Sequence, residues 1–584
     1  MWHPAGHAGP PLATGTGGAV ATISAQASES ALAILKQGGN AVDAAVAAAA
    51  TLGVTDPFSC GIGGGGFMLI YLAKDRRVVT LDHRETAPAL FSPTVFKEQG
   101  RPLALARAIS SGNAVGVPGT VRGWHDALER YGTMSFKQVL APAIGVAGKG
   151  IVVNDNFHRL AARSEKKFAL FTSSSALYLK DGKALPVGTL LRNPDLAKAY
   201  REIAARGPKA FYEGPMARAI VDAVRKPPAA AGVAIMPGNM TMADLANYES
   251  RLRQPVRTSY RGYDLYGMGL PSSGGITVGA ALNILEGYPL KTLPRANAEH
   301  LLIEASRLAF ADRNAYLGDP EYVDAPVAGL LSKAYAARRR QFVSGQRAAA
   351  KPAAGDPYPY QNDASAPLRP QPARLLAANM HTTHLSVSDK DGNVVSYTFS
   401  IEDWGGSGIT VPGYGFLLNN EMTDFDFSGP HPNVPEPGKR PRSSMAPTLA
   451  LRNGRPAFTL GSIGGEKIIG TVLQTIVNHV DFGMPMEQAL RAPRFGAGAT
   501  GPVDVEPGFA AGAQARALAG FGHSWSATPE EIGGANALVF NADGSVTAIS
   551  EAQRHGAGTA LVQEAARKPA ARQRRQLKGK TGGK

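Results

Sequence analysis

The chain has one cysteine, Cys60, among 584 residues. A single thiol excludes an intramolecular disulfide framework and any cysteine-based metal cluster. Aromatic residues make up 7% and charged residues 18%, but 44% of the chain is hydrophobic, so the composition belongs to a globular protein and not to a disordered one. Long apolar runs are missing too. The best of them, 44–54, is too short to cross a bilayer and has Asp43 at its edge, so no membrane span is expected. The start, Met1-Trp2-His3-Pro4, lacks a basic stretch followed by an apolar one, and no secretory signal is read there. The 12 histidines show no ligand spacing, and neither cofactor nor metal is expected. A phosphate-binding loop is also lacking. The glycines of Gly61-Ile62-Gly63-Gly64-Gly65-Gly66 precede a strand, whereas nucleotide motifs need a strand before the loop and a helix after it. Close backbone packing at a turn explains them better.

What the chain has in quantity is glycine and proline, 68 and 42, and hence many tight turns. Its net charge of +15 is uneven: eight cations and no acid lie in 565–584, leaving +7 on the body. That tail reads as solvated and disordered, and no nucleic-acid partner is expected from it. Residues 1–16 read as a flexible lead-in. A strand is expected near 17–23, a helix over 31–37 opened by Ser28-Glu29-Ser30, and a buried Ala-rich helix from Asn40. A strand at 67–71 follows, with 78–82 as its hairpin partner. Between 110 and 350 amphipathic helices are expected near 121–131, 135–148, 193–206, 214–225 and 298–317, with strands near 255–268. The Pro-rich stretch 347–379 reads as a linker.

Directly after the linker comes His381-Thr382-Thr383-His384-Leu385-Ser386-Val387. Strands are expected over 383–387 and 394–400, joined at Asp391-Gly392-Asn393, and further strands at 416–418, 447–451, 457–460, 537–540 and 546–549. Helices are expected near 466–480 and 486–491. Helices around antiparallel strands suggest a layered α+β sandwich. If the bond between His381 and Thr382 is cut, Thr382 carries a hydroxyl and a free amine on one residue, and that amine can activate the hydroxyl as a nucleophile. An ordinary strand beginning with two β-branched residues accounts for the same stretch.

Several separated motifs, in one order from about residue 17 to 555, resemble the γ-glutamyltransferases: Gly63–Phe67, Asp82-His83-Arg84-Glu85-Thr86-Ala87-Pro88, Val117–Thr120, Thr382-Thr383-His384, Leu418–Phe425, Lys439–Met445 and Gly461-Ser462-Ile463-Gly464-Gly465. The resemblance implies the four-layer αββα sandwich of the N-terminal nucleophile hydrolases. It implies a precursor that cuts itself into a large subunit, 17–381 behind its lead-in, and a small one, 382–584. It implies Thr382 as nucleophile, Ser400 where the family has a supporting threonine, and Gly464 and Gly465 as oxyanion donors. Arg84, Ser443 and Ser444 would hold the α-carboxylate of a γ-glutamyl substrate, and Glu421, Asp424 and Glu402 its α-ammonium. The acyl group would pass from a donor such as glutathione to water or to an amine, and the compartment would be periplasmic or secreted.

Three departures bear on this. Glu402 stands where many members have asparagine. Ile463 replaces a common proline, which should soften the oxyanion loop. The segment 426–439 is short, leaving little room for a lid. Two rivals remain: a glutaryl or cephalosporin acylase of the same fold, and a non-catalytic protein whose basic tail docks a polyanion.

Overall fold

In the strand Gly65–Leu72 the side chains part to two sides. Met68 and Ile70 enter one apolar cluster with the buried alanines of 41–50, while Phe67, Leu69 and Tyr71 enter another with Leu449, Phe458 and Leu460. A strand apolar on both faces must be covered on both, and this one lies inside a four-layer stack. The computed structural model describes residues 10–349, 352–361, 380–427, 430–551, 554 and 558–564.

The two inner layers are antiparallel sheets of seven strands each. In chain order the strands are β1 (Leu12–Gly15), β2 (Ala19–Thr22), β3 (Gly65–Leu72), β4 (Arg77–Asp82), β5 (Arg251–Arg253), β6 (Val256–Tyr260), β7 (Tyr263–Gly267), β8 (Met380–Ser388), β9 (Val394–Asp403), β10 (Thr448–Arg452), β11 (Arg455–Ser462), β12 (Ala535–Phe540), β13 (Val546–Ser550) and β14 (Thr559–Val562). The first sheet runs β5-β4-β3-β9-β8-β2-β14, and the second runs β1-β13-β12-β11-β10-β7-β6. Helices α1 (Ala25–Lys36) and α2 (Ala41–Thr55) cover the first sheet. Helices α3 (Gly274–Leu285), α4 (Arg295–Tyr316) and α5 (Lys467–Val480) cover the second, α4 through α3. This is the expected αββα sandwich, and among the described residues no helix is long and apolar enough to cross a membrane.

Local chemistry fixes the parts that carry the site. Asn40 and Asp43 cap α2 reciprocally: the Asn40 side chain accepts from the Val42 and Asp43 amides, and Asp43 accepts from the Asn40 amide at 2.8 Å. The β8–β9 turn is held by Asp389, whose carboxylate accepts from the Asp391 and Asn393 amides at 2.9 and 3.0 Å and also from the Ala41 amide that opens α2. A side chain at Gly64 would overlap the Ser400 carbonyl oxygen, so the glycine loop serves close packing, as expected.

Several details differ from expectation. Leu12–Gly15, inside the stretch read as a lead-in, pairs with Val546–Ile549 as an edge strand. Helix α1 begins at Ala25, so Ser28 and Ser30 lie within it. Their hydroxyls donate to the Thr559 and Gln26 carbonyls, which removes the competition that made them look like a helix start. Among the described residues the 416–418 stretch makes only a bridge, Thr410 to Leu417, and no strand. The front of the linker is packed: Tyr358 is buried, Asp312 accepts from the Gly355 amide, and Arg339 donates to the Ala353 carbonyl. Residues 350–351 and 362–379 of the linker, and the tail, 565–584, lie outside the described residues.

Candidate active site

β8 and β9 pair in a register that sets Thr382 opposite Ser400, His384 opposite Thr398 and Ser386 opposite Ser396. Leu385 and Val387 enter the cluster under α2, so by alternation these six residues face the second sheet. All six are buried. The inner face of this hairpin is therefore polar while its outer face is apolar. The register shifts between Met380 and Thr382, so the His381–Thr382 bond lies where the ladder breaks.

His384 joins this polar stripe to the opposite sheet. Its Nδ1 lies 2.8 Å from the Thr398 hydroxyl and its Nε2 3.1 Å from that of Ser386, and its carbonyl accepts from the Asn536 side chain of β12. The ring sits where a Cβ on Gly461 would be, in β11. Burial lowers its pKa from 6.5 to about 3, so it stays neutral. The strand that carries Thr382 is thereby held against the strand that leads into the Gly464-Gly465 loop.

In that loop Gly464 has φ +115° and Gly465 φ +58°, left-handed conformations that a side chain resists. A Cβ on Gly464 would also press on the Gly533 Cα at 3.2 Å. Among the described residues neither N–H finds a protein acceptor. The carbonyls of both glycines instead accept from Lys467 and Ile468, starting α5. Two unspent amides at a helix entrance suit a developing oxyanion. The softening expected at Ile463 is offset, because its amide donates to the Gly534 carbonyl at 3.0 Å, a bond that proline could not make.

The charged part of the site begins two strands away. Ser400 pairs with Gly65, and a Cβ on Gly65 would strike the Glu85 carboxylate. At the usual strand spacing, Gly65, against which the Glu85 carboxylate packs, is about 10 Å from Thr382. Arg84, next to it, is fully buried. Its guanidinium pairs with Glu421 at 2.6 Å and with Asp424, and it lies 3.8 Å from Glu85. Glu402, two residues beyond Ser400, accepts from the Asn420 side chain, while its amide donates to the Ser400 hydroxyl at 2.8 Å. Its φ of +80° is strained for a non-glycine residue, and Asn420 holds the bend by also accepting from the Asp403 amide.

One arginine thus faces three carboxylates, and Glu402 adds a fourth acid beside Asp424. Burial, against the pull of Arg84, raises Glu85 from 4.5 to about 8. Burial and then the neighbouring acids push Glu402 well above the carboxylate range. Glu421 and Asp424 are also raised by burial, despite Arg84. Burial alone would lower Arg84, but Glu421, Asp424 and Glu85 outweigh it and hold the guanidinium firmly charged. The nest is short of positive charge.

Ser443 accepts from the Met445 amide and Ser444 from Arg313 at 2.7 Å. Among the described residues neither hydroxyl donates, so both protons are available to an incoming carboxylate. Arg313, on α4, also donates to Ser273 and Glu466, each at 2.8 Å, and so ties the two serines to the residue after Gly465. The short segment after Asp426 folds inward: Asn433 donates to the Asp424 carbonyl and accepts from the Arg442 amide, and His431 is buried.

The structure therefore brings together the expected Thr382 and Ser400 in one place and Arg84, Glu402, Glu421 and Asp424 in another. Gly464 with Gly465, and Ser443 with Ser444, are linked through Glu466 and Arg313. The sequence reading does not single out Arg313, Glu85, Asn420 or Glu466. Glu85, Asn420 and Glu466 lie within or beside the quoted motifs, but Arg313 is about 130 residues from its serine partner, and no local pattern marks it.

The sandwich, with Thr382 near the head of an inner strand, has the architecture of the N-terminal nucleophile hydrolases. Residues 27–561 match the gamma-glutamyltranspeptidase family model, and the chain belongs to that family. It is 38% identical to a glutathione hydrolase proenzyme of Bacillus subtilis (strain 168), over 94% of this chain and 92% of the relative. It is also 38% identical to an acylase ACY 1 proenzyme of Pseudomonas sp. (strain SE83), over 92% of each. Among solved structures it resembles the cephalosporin acylase of Bacillus halodurans, with a TM-score of 0.84 and 28% identity, over 97% of this chain and 100% of that one.

Proposed function

We propose that the chain is a self-processing γ-glutamyltransferase and hydrolase acting through Thr382. The observation that carries this reading is the charge deficit around Arg84: one guanidinium against the buried Glu85 and Glu421 and the partly exposed Asp424, with buried Glu402 close by, about two strands from a threonine at a break in its ladder. A γ-glutamyl group brings an α-carboxylate for Arg84, Ser443 and Ser444, and an α-ammonium for Glu421, Asp424 and Glu402. It completes the nest with the sign that is missing.

In the precursor the Thr382 hydroxyl attacks the His381 carbonyl. The C–N bond breaks, the nitrogen takes the proton and becomes the free amine, and water opens the resulting ester. In the mature enzyme that amine takes the hydroxyl proton as Thr382 attacks the γ-carbonyl. The Gly464 and Gly465 amides stabilise the oxyanion, each donor worth roughly 3–4 kcal/mol. The leaving amine departs with the proton, and water or an acceptor amine releases the γ-glutamyl ester by the reverse steps. Ser400 supports the Thr382 hydroxyl from the facing strand. Two subunits, 1–381 and 382–584, result, in keeping with the proenzyme names of the relatives.

The acylase reading has support in the likeness to the Bacillus halodurans enzyme. A glutaryl group, however, lacks the ammonium and would leave the carboxylates of the nest without a cation. The test is kcat/KM for a γ-glutamyl anilide against its glutaryl analogue, with mass spectrometry of the mature N-terminus. Thr382 as first residue and a γ-glutamyl preference are expected. A single uncut chain, or a glutaryl preference, overturns the reading. Denaturing gels should show bands near about 40 and about 21 kDa.

A further inference from the structure

Away from the nucleophile, three side chains that the proposed reaction does not use converge in the core. His300 and Glu304 are four residues apart on α4 and so share one helix face. His523 comes from a loop 223 residues further along the chain. All three are buried, and one ligand atom from each lies within 4.8 Å of the other two. We propose that His300, Glu304 and His523 bind one divalent transition-metal ion of the Zn²⁺ class.

The hydrogen bonds around the cluster prepare it for a ligand. His300 Nε2 lies 2.6 Å from the Ser344 carbonyl, which can only accept, so Nε2 carries the proton and Nδ1 turns its lone pair towards His523. Phe521 stacks on the His300 ring at 4.5 Å and fixes its plane. Glu304 spends Oε2 on the Ala349 amide at 3.0 Å, while its buried Oε1 has no partner among the described residues. His523 Nδ1 is likewise buried without a partner among them. His523 Nε2 now lies 2.8 Å from His300 Nδ1, as donor to that lone pair. A metal replaces the shared proton: Nε2 gives it up and Nδ1 carries the one that remains on the neutral ring. Two imidazole nitrogens on a tetrahedral ion stand about 3.3 Å apart, so the rings need to separate by only about 0.5 Å.

The donor set selects the metal. Two imidazoles and one carboxylate suit Zn²⁺ or Co²⁺ and not Mg²⁺ or Ca²⁺, which require mostly oxygen. His300 and Glu304 precede Thr382 and His523 follows it, so the ion would clamp the two subunits of the proposed function. The binding itself does not depend on that reading.

The test is titration of the metal-stripped full chain with Co²⁺, followed by visible absorption, and elemental analysis after Zn²⁺ loading and desalting. One equivalent is expected in wild type and equally in Thr382→Ala, which separates this proposal from the catalytic one. Binding should be lost in His523→Ala and in Glu304→Gln, with circular dichroism confirming the fold. It should persist in His125→Ala, which alters the more exposed His125, Asp126 and Glu129 cluster. No stoichiometric ion in wild type overturns the site. So does binding that survives in either folded variant, or binding that disappears with His125.

Discussion

The two halves of the site are built from opposite materials. Along the inner face of the Thr382 hairpin the groups are neutral: the hydroxyl of Ser400 opposite Thr382, those of Thr398 and Ser386 on His384, and His384 itself, which burial keeps uncharged. Around Arg84 they are almost all ionisable, and acids outnumber the base. Full charges beside Thr382 would fix the pKa of whatever base activates it, whereas neutral dipoles act only as charge develops. In the recognition half, unbalanced charge is an advantage, because a substrate ammonium supplies the cation the acids lack while Arg84 and the two serines are left to hold its carboxylate. The reaction half should therefore govern kcat and the recognition half KM.

Thr382→Ala should break the reaction half completely. One residue performs both the cut and the transfer, so the chain should stay whole on a denaturing gel and lose about 10⁴-fold or more in activity. Gly464→Ala comes next. The added Cβ is forced into φ +115° against Gly533 and shifts an amide, so kcat should fall about 10²–10³-fold while KM moves little. A rise in KM at constant kcat would move this loop into the recognition half.

Arg84→Lys reverses the pattern. Lysine keeps the charge but loses the planar fork that reaches Glu421 and Asp424 on different nitrogens. The expected loss is about 10²-fold in kcat/KM, roughly 3 kcat-independent kcal/mol appearing in KM, for γ-glutamyl anilide under steady-state conditions. An unchanged KM would dissolve the division into halves.

The reaction half was the more legible in the sequence, and the reason is spacing. The strand, its turn and its partner lie within 380–403, so alternation and Asp391-Gly392-Asn393 reveal them together. The layers follow from the same periodicity. Glycine loops before β3 and after β11 are visible as composition, although which carbonyl each approaches is not. The recognition half is scattered: Arg84 sits at one sheet end, Glu421 and Asp424 in a turn, and Arg313 on a helix of the opposite layer. Motif resemblance brought most of these together, and the fold added Arg313 and the participation of Glu85. The packed front of the linker was missed because prolines mark chain direction but not the aromatic contacts of Tyr358.

A last expected effect, on stability and not on turnover, tests the same comparison. Glu85 titrates near 8 in the folded chain against 4.5 ordinarily, so between those values the folded state holds a proton that the unfolded state has lost. Stability then falls as pH rises through that window. His384 titrates near 3 against 6.5, so below 6.5 the unfolded state takes a proton that the folded state refuses, and stability falls as pH drops. Each slope is about 1.4 kcal/mol per pH unit at most. In the uncut Thr382→Ala background, urea midpoints at pH 5, 6.5 and 8 should separate the two. Glu85→Gln should gain on its parent from pH 5 to 8, and His384→Gln should gain from pH 6.5 to 5. Curves that stay parallel to the parent in both variants would mean that the two halves do not differ in the charge they keep, and the contrast between them would fail at its physical root.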